Sequence, residues 1–250
     1  IDQEQMNQLL AMEGSTNPLY LKIVLNELRQ HGSFDTLMEL FQRDYGSTPL
    51  SAFQKVLQRV EQNLKTTCFQ ATGAMALFFG CLAYARQGLN GRFFQRTCRN
   101  ISGWDENVIS DRQVLDLVYG LAREMEPYLV MDGDRIALRY DSLRQAIRSD
   151  KAVLYAQYTN ILLAQGFLLQ LEDTHDPEDA RTTLIHISDS TEEYIRFCFS
   201  NADCGVKLIE CGGAETVAVC CDDLVQQRGI RDFGDLAKVL HRAAARLDTN

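Results

Sequence analysis

The chain has 250 residues, 46% of them hydrophobic and 24% charged, enough to bury a sizeable core and too apolar for a disordered tract. Its formal charge of -9 denies it the positive field that phosphate-backbone binding needs, and it has no apolar run of about 18 residues that could span a bilayer. The 8 cysteines are irregularly spaced without a C-x-x-C, and the 4 histidines are scattered, which argues against a metal site and fits a reduced, cytoplasmic setting.

The opening "IDQEQMNQLL" has no initiator Met, basic n-region or apolar h-region, so it reads as part of a longer protein or a processed product, not as a signal peptide. Met6, Leu9, Leu10 and Met12 predict a short amphipathic helix. "EGSTN" breaks it. Pro18 then starts a second helix in the first turn, where its missing N–H costs nothing, and Leu19, Leu21, Ile23, Val24, Leu25 and Leu28 carry it to Gly32. Helices are also predicted over Phe34–Tyr45 and Ser51–Leu64. "ATGAMALFFGCLAYA", Ala71–Ala85, is apolar nearly all round, the mark of a buried central helix. "GRFFQRTCRN" gives a short helix, "ISGWDEN" a loop, and Ser110 caps a helix reaching Glu126. In "YLVMDGDRIALRY" two apolar runs flank Asp132-Gly133-Asp134, a hairpin. "DSLRQAI" returns to helix and Lys151–Leu171 is a long apolar one. Asp176 and Pro177 cap and start the next. "TTLIHIS" and "ETVAVCC" have β-like composition, yet their context favours helices, and "GDLAKVLHRAAARL" closes the chain as a helix. The fold class is therefore mainly α: a helical subdomain over residues 1–48, a winged helix with a small β-hairpin over 49–150, and a C-terminal helical array over 151–250.

Catalytic constellations are missing from the text of the chain. There is no G-x-x-x-x-G-K-[ST] to cradle phosphates and no G-x-S-x-G. "VAVCCDD" imitates an acid-tipped strand only superficially. His186 reads as a structural histidine, and Glu192-Glu193, Asp222-Asp223 and Glu124/Glu126 as solvated helix faces. No enzymatic activity is expected of these residues. Arg92, Arg96 and Arg99 leave a winged-helix DNA binder as an alternative, against which stand Phe93, Phe94 and the acidic balance.

Taken together, "STNPLYLKIVLNELRQHGSFDTL", "FQKVLQRVEQ", "RQGLNGRFF", Trp104, "PYLVMDGDRIALRYDSLRQAI" and "VKLIECGGAETVAVCCDDL" resemble the region that follows the nucleotide-binding core in NACHT-type STAND signal-transduction ATPases. The resemblance implies a helical domain, a winged helix and the start of a superhelical region. It implies a regulatory part that couples the nucleotide state of an upstream core to a sensor or effector by rigid-body movement. It also implies nucleotide contacts at Pro18, beside the adenine, and at Tyr140, which stands where many relatives carry the His that reaches the β-phosphate of ADP. A phenol can donate one hydrogen bond to phosphate but cannot become cationic. ADP or ATP would then belong to the parent protein, with no cofactor or metal held by these residues alone. The implied partners are the upstream nucleotide-binding domain and other proteins or further copies of the chain, with neither membrane nor nucleic acid. Residue chemistry alone reads the two positions differently: Pro18 merely starts a helix, and Tyr140 ends a strand with its ring in the core while Asp141 caps the next helix. A non-catalytic interaction scaffold is the corresponding alternative function.

Overall fold

A computed structural model describes residues 3–31, 46–67, 71–85, 88–99, 109–149, 156–200, 202–213, 216–220, 223 and 226. The predicted helix over Phe34–Tyr45, Trp104 with its loop, the start of the Lys151–Leu171 helix and the closing "GDLAKVLHRAAARL" helix lie outside the described residues. The rest is mainly helical with a small β element, as the sequence predicts.

Punctuation of the helices explains where each begins. All 4 prolines of the chain fall in the first two positions of a helix or 3-10 turn. There the absent N–H is one that no helix could pair anyway. Helix α1 (Gln3–Ala11) ends in a 3-10 turn (Glu13–Thr16), and α2 (Pro18–His31) starts at Pro18. The Asn17 side chain accepts from the Leu19 and Tyr20 backbone N–H at 2.9 and 3.3 Å. Helix α3 (Pro49–Thr67) begins with a reciprocal cap: Thr48 Oγ1 accepts from Ser51 N–H, and Ser51 Oγ from Thr48 N–H.

The residues group into two interleaved units, Ile1–Ala83 with Gly120–Leu154, and Tyr84–Tyr119 with Tyr155–Asn250. In the first unit, α2 and α3 bury Tyr20, Ile23, Val24, Phe53, Val56, Leu57 and Val60. The all-apolar segment forms α4 (Ala71–Met75), a π-helical turn (Ala76–Gly80) and α5 (Cys81–Tyr84). All five residues of the π turn are buried, which places this helix in the core as its composition predicts. The π register itself is not encoded in hydrophobicity. Further along this unit a 3-10 turn (Glu126–Tyr128) leads into the hairpin of β2 (Leu129–Asp132) and β3 (Arg135–Leu138). The strands pair antiparallel, Leu129 with Leu138 and Asp132 with Arg135, leaving Gly133-Asp134 as a two-residue turn. Gly133 has φ +59°, the left-handed conformation such a turn requires and one that a side chain would strain. Helix α8 (Asp141–Ser149) follows and packs along α3.

In the second unit a short strand, β1 (Leu89–Asn90), precedes α6 (Gly91–Cys98), whose first turn is capped by Asn90 accepting from Phe93 N–H at 2.9 Å. Helix α7 (Asp111–Glu124), whose residues from Gly120 on belong to the first unit, starts with a capping box, since Ser110 Oγ accepts from Gln113 N–H and Gln113 Oε1 accepts from Ser110 N–H. It ends at Glu124, one short 3-10 turn before the hairpin, instead of running on to Glu126. Helices α9 (Ala156–Thr174), α10 (Pro177–Ser188), α11 (Glu192–Ser200) and α12 (Ala202–Gly212) then pack in succession. The β-like "TTLIHIS" lies inside α10 and residues 216–220 are also helical, so tertiary burial overrides local β propensity here. Helix α9 meets α6 at Gly166, where a Cβ would collide with Thr97 Oγ1 and with Phe93 at 2.6 Å. Among the described residues no helix is long and apolar enough to cross a membrane.

Candidate functional site

Pro18 sits exposed at the first position of α2, and Lys22, one turn on, shares its face. Tyr140 stands between β3 and α8, where its carbonyl accepts from Arg144 N–H at 3.2 Å. Tyr140 itself therefore holds the cap position, and Asp141 is the first helical residue. Its ring is half-buried and lies 6.2 Å from that of the fully buried Phe53, tilted by 30°. The phenol oxygen points out to Lys22, whose Nζ donates to it at 2.9 Å. The same ammonium lies 5.6 Å from the ring centroid. So the ring edge touches the core while the hydroxyl stays at the surface. The bond to Lys22, joined by a smaller contribution from Arg139, lowers the Tyr140 pKa against the opposing effect of burial.

The two residues singled out by sequence thus belong to one unit, and Tyr140 is bonded to Lys22, four positions after Pro18, which the sequence reading did not name. Its spacing from Pro18 was visible; its partner lies 118 positions away. The face carries one lysine ammonium, one phenol and one exposed imide ring. That set can meet an anion and stack on a planar group.

Behind this face the first unit is braced by buried charge. Arg59 binds Glu27 through two bonds of 2.8 and 3.0 Å and Glu124 through one of 2.6 Å, with the Glu27 side chain fully buried. Burial works against the guanidinium charge, but the two carboxylates outweigh it and raise the Arg59 pKa. Arg144 and Arg148 of α8 both donate to the Ala83 carbonyl, at 3.0 and 2.9 Å, satisfying the C-terminal end of the π-containing helix. A cavity of about 460 Å³ opens beside α1 and α2, lined by Gln8, Met12, Glu13, Tyr20 and Ser47 among others. Neither Pro18 nor Tyr140 lines it.

No family model matches the chain, and no curated protein or solved structure matches it either.

The other sequence candidates lie apart. His186 is buried in α10, stacked on Phe167 at 5.8 Å between ring centroids, with its Nδ1 2.9 Å from Asn160 Oδ1. That is a packed, hydrogen-bonded core histidine. Arg92 is exposed on α6, but Arg96 donates to the Leu169 carbonyl and Arg99 to the Ile109 carbonyl and the Asp111 carboxylate. Phe93 and Phe94 are buried. Residues 217–220 of the "VAVCCDD" segment are helical, not a strand. Among the described residues no group of three His, Cys, Asp or Glu could hold a metal ion.

Proposed function

We propose that this chain is the regulatory part of a STAND-type nucleotide switch. Its Pro18–Lys22–Tyr140 face meets ADP or ATP held by a P-loop domain. The observation that carries the reading is the Lys22–Tyr140 bond, which joins the start of α2 to the start of α8 at the surface. A nucleotide phosphate would compete for Lys22 and for the phenol O–H. Binding would then break or reinforce the tie between the two helices, which gives the ligand unequal affinity for two arrangements, the requirement for any switch. The chain itself performs no catalysis in this reading. Lys22 supplies the positive charge that a tyrosine in the latch position cannot.

The test is a polypeptide in which a P-loop domain, encoded within about 300 residues before Ile1, is joined to this chain. ADP should bind, protect α2 from protease and lose about tenfold in affinity on Lys22→Ala, equivalent to about 1.4 kcal/mol. Failure to find such a domain, or an affinity indifferent to Lys22, would remove the switch.

In that case a protein-interaction scaffold is the better account. Met6 and Leu10 favour it, lying exposed one turn apart on α1, as does Phe197 on α11 at 60% exposure. DNA binding draws less support, because two of the three arginines near α6 are engaged with the protein's own carbonyls.

A further inference from the structure

Strand β2 has β3 on one side and, among the described residues, no strand on the other. The register decides which of its backbone groups are already engaged. Arg139 N–H donates to the Tyr128 carbonyl at 3.0 Å, so these two residues form a hydrogen-bonded pair. Such pairs alternate along an antiparallel ladder, which makes Val130 with Ala137 and Asp132 with Arg135 the next two, as the two-residue turn also demands. Leu129 and Met131 therefore direct their N–H and C=O away from β3. The Leu129 N–H is taken by the Glu126 carbonyl. The Leu129 carbonyl and both backbone groups of Met131 remain on the outer edge.

The side chains do not guard this edge. A free edge is ordinarily blunted by lysine, proline or a bulge, and β2 contains none of these. Val130 and Met131, on opposite faces of the strand, are instead 40% and 50% exposed. The charge around them is acidic. Glu126 before the strand and Asp132 and Asp134 at its far end are all exposed, against one exposed base in the hairpin, Arg135.

We propose that β2 takes up an extended segment of a partner protein as an additional strand, with apolar residues against Val130 and Met131 and a lysine or arginine toward the acidic ends. In an antiparallel arrangement one residue of the partner would exchange both of its backbone bonds with Met131. Main-chain bonds then supply the affinity, and the acids select a basic sequence. A second copy of this chain is disfavoured as the occupant, because it would add its own Glu126, Asp132 and Asp134 to an edge that is already acidic. The site is separate from the Lys22–Tyr140 bond and holds whether or not a nucleotide meets Lys22.

The experiment immobilises the whole chain, selects on it from a random library of peptides about six residues long, the usual length of a strand, and measures the enriched sequences by fluorescence anisotropy. The expected sequences alternate apolar residues and carry at least one lysine or arginine, and their binding weakens as salt is raised. Met131→Pro is the decisive variant. Proline there removes only an N–H that faces outward, so the hairpin keeps its ladder, and affinity should fall at least about tenfold. Circular dichroism shows whether the variant is folded. If it is not, a scan of N-methyl groups along the peptide cuts the same bonds from the other side, and one position should give the same loss. Asp132→Asn combined with Asp134→Asn should weaken basic peptides while keeping the turn, which asparagine also suits. Enrichment of no sequence or of acidic ones, binding indifferent to both the proline and the N-methyl scan, or a dimer of the chain that dissociates on Met131→Pro would overturn the proposal.

Discussion

The Lys22 ammonium donates to the Tyr140 hydroxyl across 118 residues of chain, and this one bond joins the start of α2 to the start of α8. Both partners are reachable from solvent, so the bond contributes little to stability and stays available for exchange with another anion or donor.

That geometry fixes an order of ionisation among the tyrosines. Tyr140 has a lowered pKa because of Lys22, whereas burial raises those of Tyr20, Tyr128 and Tyr194. Phenolate absorbance during an alkaline titration should therefore report Tyr140 before those three, and Lys22→Ala should delay that first step. The linkage sign follows from the lowered value. The lowered value contributes stability that is fully present above the unfolded tyrosine value of about 10 and is lost as pH falls through the folded value, so neutral-pH melting should be indifferent to Tyr140→Phe. A neutral-pH loss as large as that of a core mutation would mean the ring, not the hydroxyl, is what matters.

Pro18→Ala should cost at most about 1 kcal/mol in urea unfolding, because Asn17 still caps α2 and the change acts mainly through the freedom of the unfolded chain. A larger loss would show that the imide ring supports packing that its exposure does not suggest.

Arg59 is the structural counterweight. Removing it leaves the fully buried Glu27 without its two bonds from the guanidinium, so Arg59→Ala should lower unfolding free energy by about 3–5 kcal/mol. Glu124→Gln should cost less, since that side chain is 27% exposed and water can replace the lost charge pairing. Denaturant titration of the two variants side by side checks the ranking.

Gly166→Ala tests the close approach of α9 to α6. The new methyl meets Phe93 and Thr97, both buried in the second unit, and the expected cost is about 1–3 kcal/mol despite the better helix propensity of alanine. A stabilised variant would show that the two helices can separate without loss.

Ala76→Asp, in the π turn, places an unpaired charge among Leu77, Phe78 and Phe79, all fully buried, and should lower the melting temperature sharply or prevent folding. An unchanged melting curve would contradict the burial of this segment.

Local chemistry made much of this legible. Asp176-Pro177, Ser110 and Asp132-Gly133-Asp134 act through neighbouring backbone groups, and each starts or turns the chain where its residue type requires. Composition alone placed Ala71–Ala85 in the core. The rest depends on distance along the chain: Lys22 with Tyr140, Arg59 with Glu27 and Glu124, and the paired arginines on Ala83 all join residues at least 32 positions apart. Residue chemistry puts the Tyr140 ring in the core, and it is half-buried beside Phe53; Asp141, expected as the cap, is instead the first helical residue, and nothing near Tyr140 in sequence announces Lys22. The interdependence of "TTLIHIS" with its helical neighbours is likewise a matter of packing, since its β-branched residues gain more from burial in α10 than they lose in rotamer freedom.

The π turn at Ala76–Gly80 also sets a phase. It accommodates one residue more than a regular helix would over the same rise, so the faces before and after it are offset by about 100° from simple helical continuation. Excising a single residue there would leave a smooth, still apolar helix. It would also swing the Ala83 carbonyl away from Arg144 and Arg148, cutting a mooring line whose loss no inspection of hydrophobicity would foretell.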